Sequence, residues 1–180
     1  MELTNIRVVD SISQSSIENA MKGDKTAFSN LLRENYNTIY RISYSILKND
    51  ADVEDALQEA TLRAYKGICK LKYSSFFKTW LIKIVINESY NVLKKTKKHL
   101  EVMSLEDANP STEDRYENVD VKGAIMQLEK DLRLVIVLFY YEDMPVKAIA
   151  EILSIPEGTV KSRLSRARTK LQEELNVKEE

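Results

Sequence analysis

Apolar positions recur at three- and four-residue intervals along most of the chain, the period of amphipathic helices, and nothing reads as a strand ladder. A helix is predicted to open near Ser15 or Ser16, where a hydroxyl cap precedes Ile17. Longer periodic runs cover Thr26 to Leu47, Asp52 to Ile68 and Phe77 to about Lys98, with Cys69 to Phe76 as a loop that contains neither Pro nor Gly. From Glu101 to Asp120 the apolar stripe is lost and Asn109-Pro110-Ser111 interrupts an acidic stretch, the composition of a flexible linker. Periodicity resumes over Ala124 to Tyr141, Val146 to Leu153 and Pro156 to Leu175. The pattern therefore predicts an all-α chain: a lead over 1–14, a helical domain over 15–100, a flexible acidic linker over 101–120, and a second small helical domain over 121–180.

The second domain carries a spacing with a specific meaning. Pro145 breaks the chain before VKAIAEIL, and the tight segment Ser154-Ile155 leads into PEGTVKSRLSRARTKLQEEL. Two short helices joined by three or four residues make a helix-turn-helix. Ile149, Ala150 and Leu153 are placed to pack against Val160 and Leu164. Ser154 stands where such turns often have Gly, so a left-handed turn there costs modestly. Pro156 suits a first helical turn. At about 100° per residue, Val160, Leu164, Ala167 and Leu171 share an apolar stripe. Thr159, Ser162, Ser165, Arg166 and Thr169 lie opposite, flanked by Lys161 and Arg168 on one side and Arg163 and Lys170 on the other. Small hydroxyl residues let such a helix sink into a major groove while the bases reach both phosphate walls. The plainer alternative is a basic surface helix.

Composition narrows the chemistry. The chain has 180 residues, soluble globular proportions of apolar and charged residues, and no apolar run long enough to span a bilayer. Its start, MELTNIRVVDSIS, does not read as a signal peptide. One cysteine, Cys69, and one histidine, His99, make neither an internal disulfide nor a zinc site, which fits a reducing cytoplasm. The net charge of −1 conceals segregation: Asn49 to Ala60 carries five acids and no base, whereas Lys70 to Lys98 carries eight lysines against Glu88. Seven acids against Arg115 follow in Glu101 to Asp120, and five bases against Glu157 in Pro156 to Leu171. Two basic blocks separated by acidic ones suit two nucleic-acid contacts, although solvated helix faces produce the same pattern.

Two helices of the first domain repay closer inspection. On the Asp52 helix, Val53, Ala56, Leu57, Ala60, Ala64 and Ile68 form the core side. Asp55, Gln58, Glu59 and Leu62 gather opposite. A lone exposed leucine needs no explanation, yet an apolar centre in a polar rim is how a protein-binding face looks. On the next helix Leu81, Ile82, Val85, Ile86, Val92 and Leu93 face inward. Trp80, Lys83, Asn87, Asn91 and Lys94 share the other side, with Phe76 and Phe77 at its start. Aromatics, amides and lysines on one surface suit single-stranded DNA. Trp80 and Phe77 also read as core packing.

These stretches together resemble an extracytoplasmic-function sigma factor, the small two-domain class of bacterial RNA polymerase sigma subunit in the sigma-70 family. The likeness covers about Ile17 to Leu175 through IENAMKGDKTAFSNLL, DVEDALQEATLRAY, FKTWLIKIVINESYNVLKK and VIVLFYYEDMPVKAIAEILSIPEGTVKSRLSRARTKL, in that order. The resemblance implies that 15–100 is a sigma region 2 domain and 121–180 a region 4 domain. It implies that Asp52, Asp55, Gln58 and Glu59, with Leu62, dock the β′ clamp coiled coil of core polymerase. The −10 promoter element would be met by Trp80, Lys83, Asn87 and Asn91, and by the loop with Lys70, Lys72 and Phe76, which matches a segment that captures a flipped base. That loop, KLKYSSFF, lacks the Gly of many members. Thr159, Lys161, Ser162, Arg163, Ser165, Arg166, Arg168 and Lys170 would meet the −35 element. The implied partners are core polymerase, including the β flap against the apolar surface of the C-terminal domain, promoter DNA, and an anti-sigma factor.

The expected function is transcription initiation without catalysis: no cofactor, no small-molecule substrate, and a cytoplasmic protein that does not insert into the membrane but can be held there by an anti-sigma factor. Three rivals have distinct marks. A helix-turn-helix regulator that never joins polymerase has no use for the aromatic and amide face. A nuclease with a metal on Asp52, Asp55 and Glu59 would cleave DNA with magnesium. A pure interaction adaptor leaves the outward basic helix unexplained.

Overall fold

The fold is given by a computed structural model that describes residues 14–103 and 121–176, with side chains over 14–98 and 121–175. Among these residues every regular element is helical. Helix α1 (14–21) turns at Gly23, whose positive φ of 97° suits a residue without a Cβ, into α2 (Lys25–Leu47). Asp24 caps α2 by accepting from the Thr26 and Ala27 amides at 2.8 and 3.0 Å. Asn49 caps α3 (Asp50–Gly67) in the same way, and Asp50 and Asp52 lie in the first turn, favourable to the helix dipole. Tyr40 donates its hydroxyl to Asp50, tying α2 to the start of α3; that bond pushes the phenol up to about 12.

Helix α4 (Phe77–Met103) completes the first bundle and runs into the stretch read as linker. Ala56, Ala60 and Ala64 are fully buried, and their small side chains let α4 approach α3 closely. Ile42, Val53, Leu81, Ile82, Val85 and Ile86 fill the centre; burial of each stabilises the fold by about 1.5–3 kcal/mol. Ser43 and Ser89 share a buried hydrogen bond of 2.9 Å between α2 and α4. Between α3 and α4 the predicted loop holds two short 3-10 turns, Ile68–Lys70 and Ser74–Phe76. The remainder of the linker reading, 104–120, and the lead over 1–13 lie outside the described residues.

The C-terminal helices are α5 (Val121–Gln127), α6 (Lys130–Ile136), a π-helical turn (Val137–Tyr141), α7 (Val146–Leu153) and α8 (Glu157–Asn176). The single helix expected over Ala124 to Tyr141 is thus broken at Glu129, whose ψ of 142° is extended. Arg133 accounts for the break. Its guanidinium donates back to the carbonyls of Met126 and Leu128, satisfying the end of α5 where the helical ladder stops. Ser154 takes the left-handed conformation (φ 54°, ψ 45°) between α7 and α8, and the Ser154 and Ile155 amides both donate to the Ala150 carbonyl. Pro156 stands one residue ahead of the first turn of α8 and not within it; its carbonyl accepts from Thr159 and Val160. Val160, Leu164 and Ala167 are buried against α7 and α6, with Leu171 partly so.

The two sets of helices pack on one another, α6 and the π-helical turn on α2, and α7 on α4. Arg133 also crosses this boundary, donating from Nε to the Ser45 carbonyl in α2. Glu142, just after the π-helical turn, accepts from Thr38 at 2.9 Å and pairs with Arg41, while Lys78 lies 3.7 Å away.

Candidate nucleic-acid and polymerase interfaces

The core stripe of α3 fixes what its other side presents. With Val53, Ala56, Leu57, Ala60 and Ala64 inward, Asp55, Gln58, Glu59 and Leu62 are exposed together, and Leu62 shows 53% of its surface. Asp52 is set apart from them. It is half-buried, and its carboxylate faces Thr96 of α4 at 3.4 Å, a contact that braces the two helices. Among the described residues no group of three or more His, Cys, Asp or Glu side chains is placed to hold a metal ion.

On α4 the outward side carries Lys83, Asn87, Asn91 and Lys94, all exposed. Asn91 donates to Glu88 at 3.1 Å. Glu88 is buried, and Arg63 of α3 places Nε 2.8 Å from its other oxygen as an ion pair and not a directed hydrogen bond. This Arg63–Glu88–Asn91 chain holds one end of the amide face; its only trace in the sequence is that Glu88 is the lone acid among eight lysines. Phe77 is buried core. Trp80 is half-buried against it and against Gly67, where an added Cβ would meet the indole at 3.0 Å. Trp80 therefore lines the edge of the face and does not stand free on it. Phe76 is 57% exposed and meets Tyr73 edge-on, and Lys70 and Lys72 are exposed beside them. Tyr73, exposed in the same loop, is an aromatic that the sequence reading passed over.

On α8 Lys161, Ser162, Ser165, Arg166, Arg168 and Lys170 are exposed, and Thr159 is half-buried. The flanking bases differ in their freedom. Arg163 is drawn in by Asp131 of α6 at 2.7 Å, and Lys170 pairs with Glu129 at 2.7 Å, which holds the Glu129 carboxyl below its ordinary range. Arg168 donates to the Leu164 carbonyl of its own helix at 3.2 Å, and Ser162 to that of Thr159 at 2.9 Å. Arg166 is exposed on the side of the outer face toward Lys170, and its charge also acts on Glu129.

Three surfaces of distinct chemistry are thus carried on α3, α4 and α8. Residues 31–99 match the sigma-70 region 2 family model and residues 119–171 the sigma-70 region 4 family model. The chain is 33% identical over 153 residues to the ECF RNA polymerase sigma factor SigM of Mycobacterium tuberculosis, an alignment covering 83% of this chain and 77% of that one. It is 32% identical over 176 residues to the ECF RNA polymerase sigma factor SigW of Bacillus subtilis, covering 88% and 94%. Its fold is similar to that of the sigma factor RpoE of Bartonella quintana, solved in complex with the anti-sigma factor NepR, with a TM-score of 0.69 and 26% identity over 84% of this chain and 98% of that one. The chain belongs to the extracytoplasmic-function class of the sigma-70 family. It is a transcription initiation factor. No helix among the described residues is long and apolar enough to cross a membrane.

Proposed function

We propose that this sigma factor joins core RNA polymerase through the outward face of α3, reads a −35 element with α8, and melts a −10 element against α4. In this reading residues 15–100 are the region 2 domain, 121–180 the region 4 domain, and 101–120 the linker. The observation that carries it is the division of labour among the three exposed faces. An acidic face centred on Leu62 suits a basic protein partner. A face of amides and lysines edged by Trp80 suits unpaired bases. A face of hydroxyls and bases suits duplex phosphates. The protein acts by binding and not as an enzyme, in the cytoplasm, without a cofactor or small-molecule substrate; phosphodiester chemistry belongs to the polymerase. An anti-sigma factor, such as the one bound to the Bartonella relative, is the expected restraint and can hold it at the membrane.

The β′ clamp coiled coil is the proposed partner of Asp55, Gln58, Glu59 and Leu62, with Asp52 bracing that helix from its half-buried position. Charge reversal by Asp55→Lys or Glu59→Lys is expected to weaken core binding at least tenfold while leaving the melting temperature within about 2 °C, since exposed positions seldom shift stability by more than about 0.5 kcal/mol. Core-polymerase pull-down with a thermal melt checks this. Normal binding by both folded variants would move the docking site elsewhere.

The −35 side admits a similar separation. Arg166→Ala should weaken duplex binding and relax base preference at one position, because its fork is exposed on the outer face. Lys170→Ala should weaken all duplexes alike and flatten the salt dependence, with a smaller effect because Glu129 already neutralises part of its charge. Binding curves against a library of upstream elements at two salt concentrations measure both. Identical base preferences in the two variants would remove the distinction.

A further inference from the structure

Glu88 is the lone acid between Lys70 and Lys98, and it lies beneath the outward side of α4 and not on it: 5% of its side chain is exposed, against 62% of that of Arg63. A buried carboxylate is costly unless it is paired and hydrogen-bonded, and both of its oxygens are engaged. Arg63 of α3 sets Nε 2.8 Å from Oε1. Oε2 accepts from Nδ2 of Asn91, one turn further along α4, at 3.1 Å. The arrangement fixes the direction of the Asn91 amide as well as its place. A carboxylate only accepts, so the amide nitrogen must face it, and the carbonyl oxygen Oδ1 takes the opposite corner. The reversed amide would set Oδ1 against the carboxylate and deprive a buried charge of its donor. A solitary asparagine turns over and serves a donor or an acceptor equally, whereas Asn91, an exposed residue on the outward side of α4, is committed to one direction.

We propose that Glu88 is a positioning residue that locks the Asn91 amide with its carbonyl turned away from the helix interior, so that α4 selects an amino base over a keto base at one position of the unpaired strand; this rests on the reading of α4 given above. Adenine and cytosine carry exocyclic amines, N6 and N4, that donate to Oδ1. Guanine and thymine carry O6 and O4 instead, which would set oxygen against oxygen. Their other approach, to the amide nitrogen, runs onto the Glu88 carboxylate, whose charge repels a carbonyl oxygen. Arg63 anchors the far oxygen from α3, which keeps Oε2 aimed at Asn91. Glu88 itself is too deeply buried to meet a base, so its influence on sequence choice passes through Asn91.

The test uses the full-length chain bound to core polymerase, which captures single-stranded DNA from a pool randomised over a short stretch; the captured strands are sequenced. The natural chain should enrich adenine and cytosine over guanine and thymine at one position by about fivefold, the worth of one hydrogen bond. Asn91→Ala should flatten that position and no other. Glu88→Gln should flatten the same position although it touches no base, because a glutamine amide can donate to Asn91 as well as accept and so frees it to turn over. The exchanged pair, Glu88→Gln with Asn91→Asp, should restore the amino preference: the glutamine donates to one aspartate oxygen and leaves the other outward. Its capture should be weaker overall, since a carboxylate then faces the phosphates. Glu88→Asp keeps the charge against Arg63 but withdraws the oxygens from Asn91, and should flatten the position too if glutamine unfolds the bundle. A preference that survives in folded Glu88→Gln or Glu88→Asp but is lost in Asn91→Ala would overturn the lock. So would an exchanged pair that restores nothing, or a natural preference for keto bases. If instead the natural chain enriches no sequence, and Asn87→Ala and Asn91→Ala capture DNA as it does, the reading of α4 as the strand-binding face fails and the lock fails with it.

Discussion

Arg133→Ala is expected to destabilise the protein by about 3 kcal/mol, because three backbone carbonyls, two of them in buried hydrogen bonds, lose their donor in one step. Arg133 is 2% exposed and has no carboxylate partner among the described residues; it donates to Ser45, Met126 and Leu128. Burial pushes its guanidinium down to about 10, so it is still protonated at neutral pH and the bonds are charge-assisted. Alanine would leave the end of α5 uncapped, the C-terminal end of α2 unpaired, and a hole between the two domains. Lysine keeps the charge but not the planar fork, and one ammonium cannot reach acceptors on both sides of the boundary. Arg133→Ala should therefore lower the melting temperature by about 6–12 °C, with Arg133→Lys recovering less than half of the loss. A fall of less than about 2 °C for alanine would show that water replaces the guanidinium without cost.

Asn87→Ala should have the largest effect on function. Asn87 is exposed on α4 on the same side as Lys83 and Trp80, and its amide can both donate to and accept from a base edge. Extruding a base costs a few kcal/mol, which must be recovered in the pocket that receives it. Loss of one such amide at about 1.5–3 kcal/mol should slow open-complex formation on duplex promoters ten- to a hundredfold. Core binding should be unchanged, and a template already mismatched through the melted region should recover part of the rate. Permanganate reactivity of unpaired thymines beside a core-binding assay separates the two quantities. Normal melting would defeat the assignment; lost core binding would mean that this side of α4 faces the polymerase.

The local design was legible in the sequence because it is periodic. The apolar stripes of α3, α4 and α8 bury the side chains expected of them, Leu93 and Leu171 only in part, and the left-handed turn at Ser154 falls where the spacing of the C-terminal helices requires it. Non-local chemistry was not legible. The unbroken period over Ala124 to Tyr141 hid the break at Glu129, because what permits that break is a guanidinium folding back from Arg133. Nothing near Glu142 in the chain announces partners about a hundred residues away in Thr38 and Arg41. Pairing also sorts residues that looked equivalent: Arg163 and Lys170 are already matched with acids, and Asp52 faces Thr96, whereas Asp55, Asn87 and Arg166 stand outward. Sequence position placed these side chains on faces, and only packing separated the committed from the available.

Run-off transcription with purified core polymerase and genomic DNA, followed by mapping of the RNA 5′ ends, tests the central claim most directly. The account predicts discrete start sites that appear only when the chain is added, share one sequence element about 10 and another about 35 base pairs upstream, and are lost with Asp55→Lys. Start sites that are the same with and without the chain, or DNA binding that never recruits core polymerase, would contradict it.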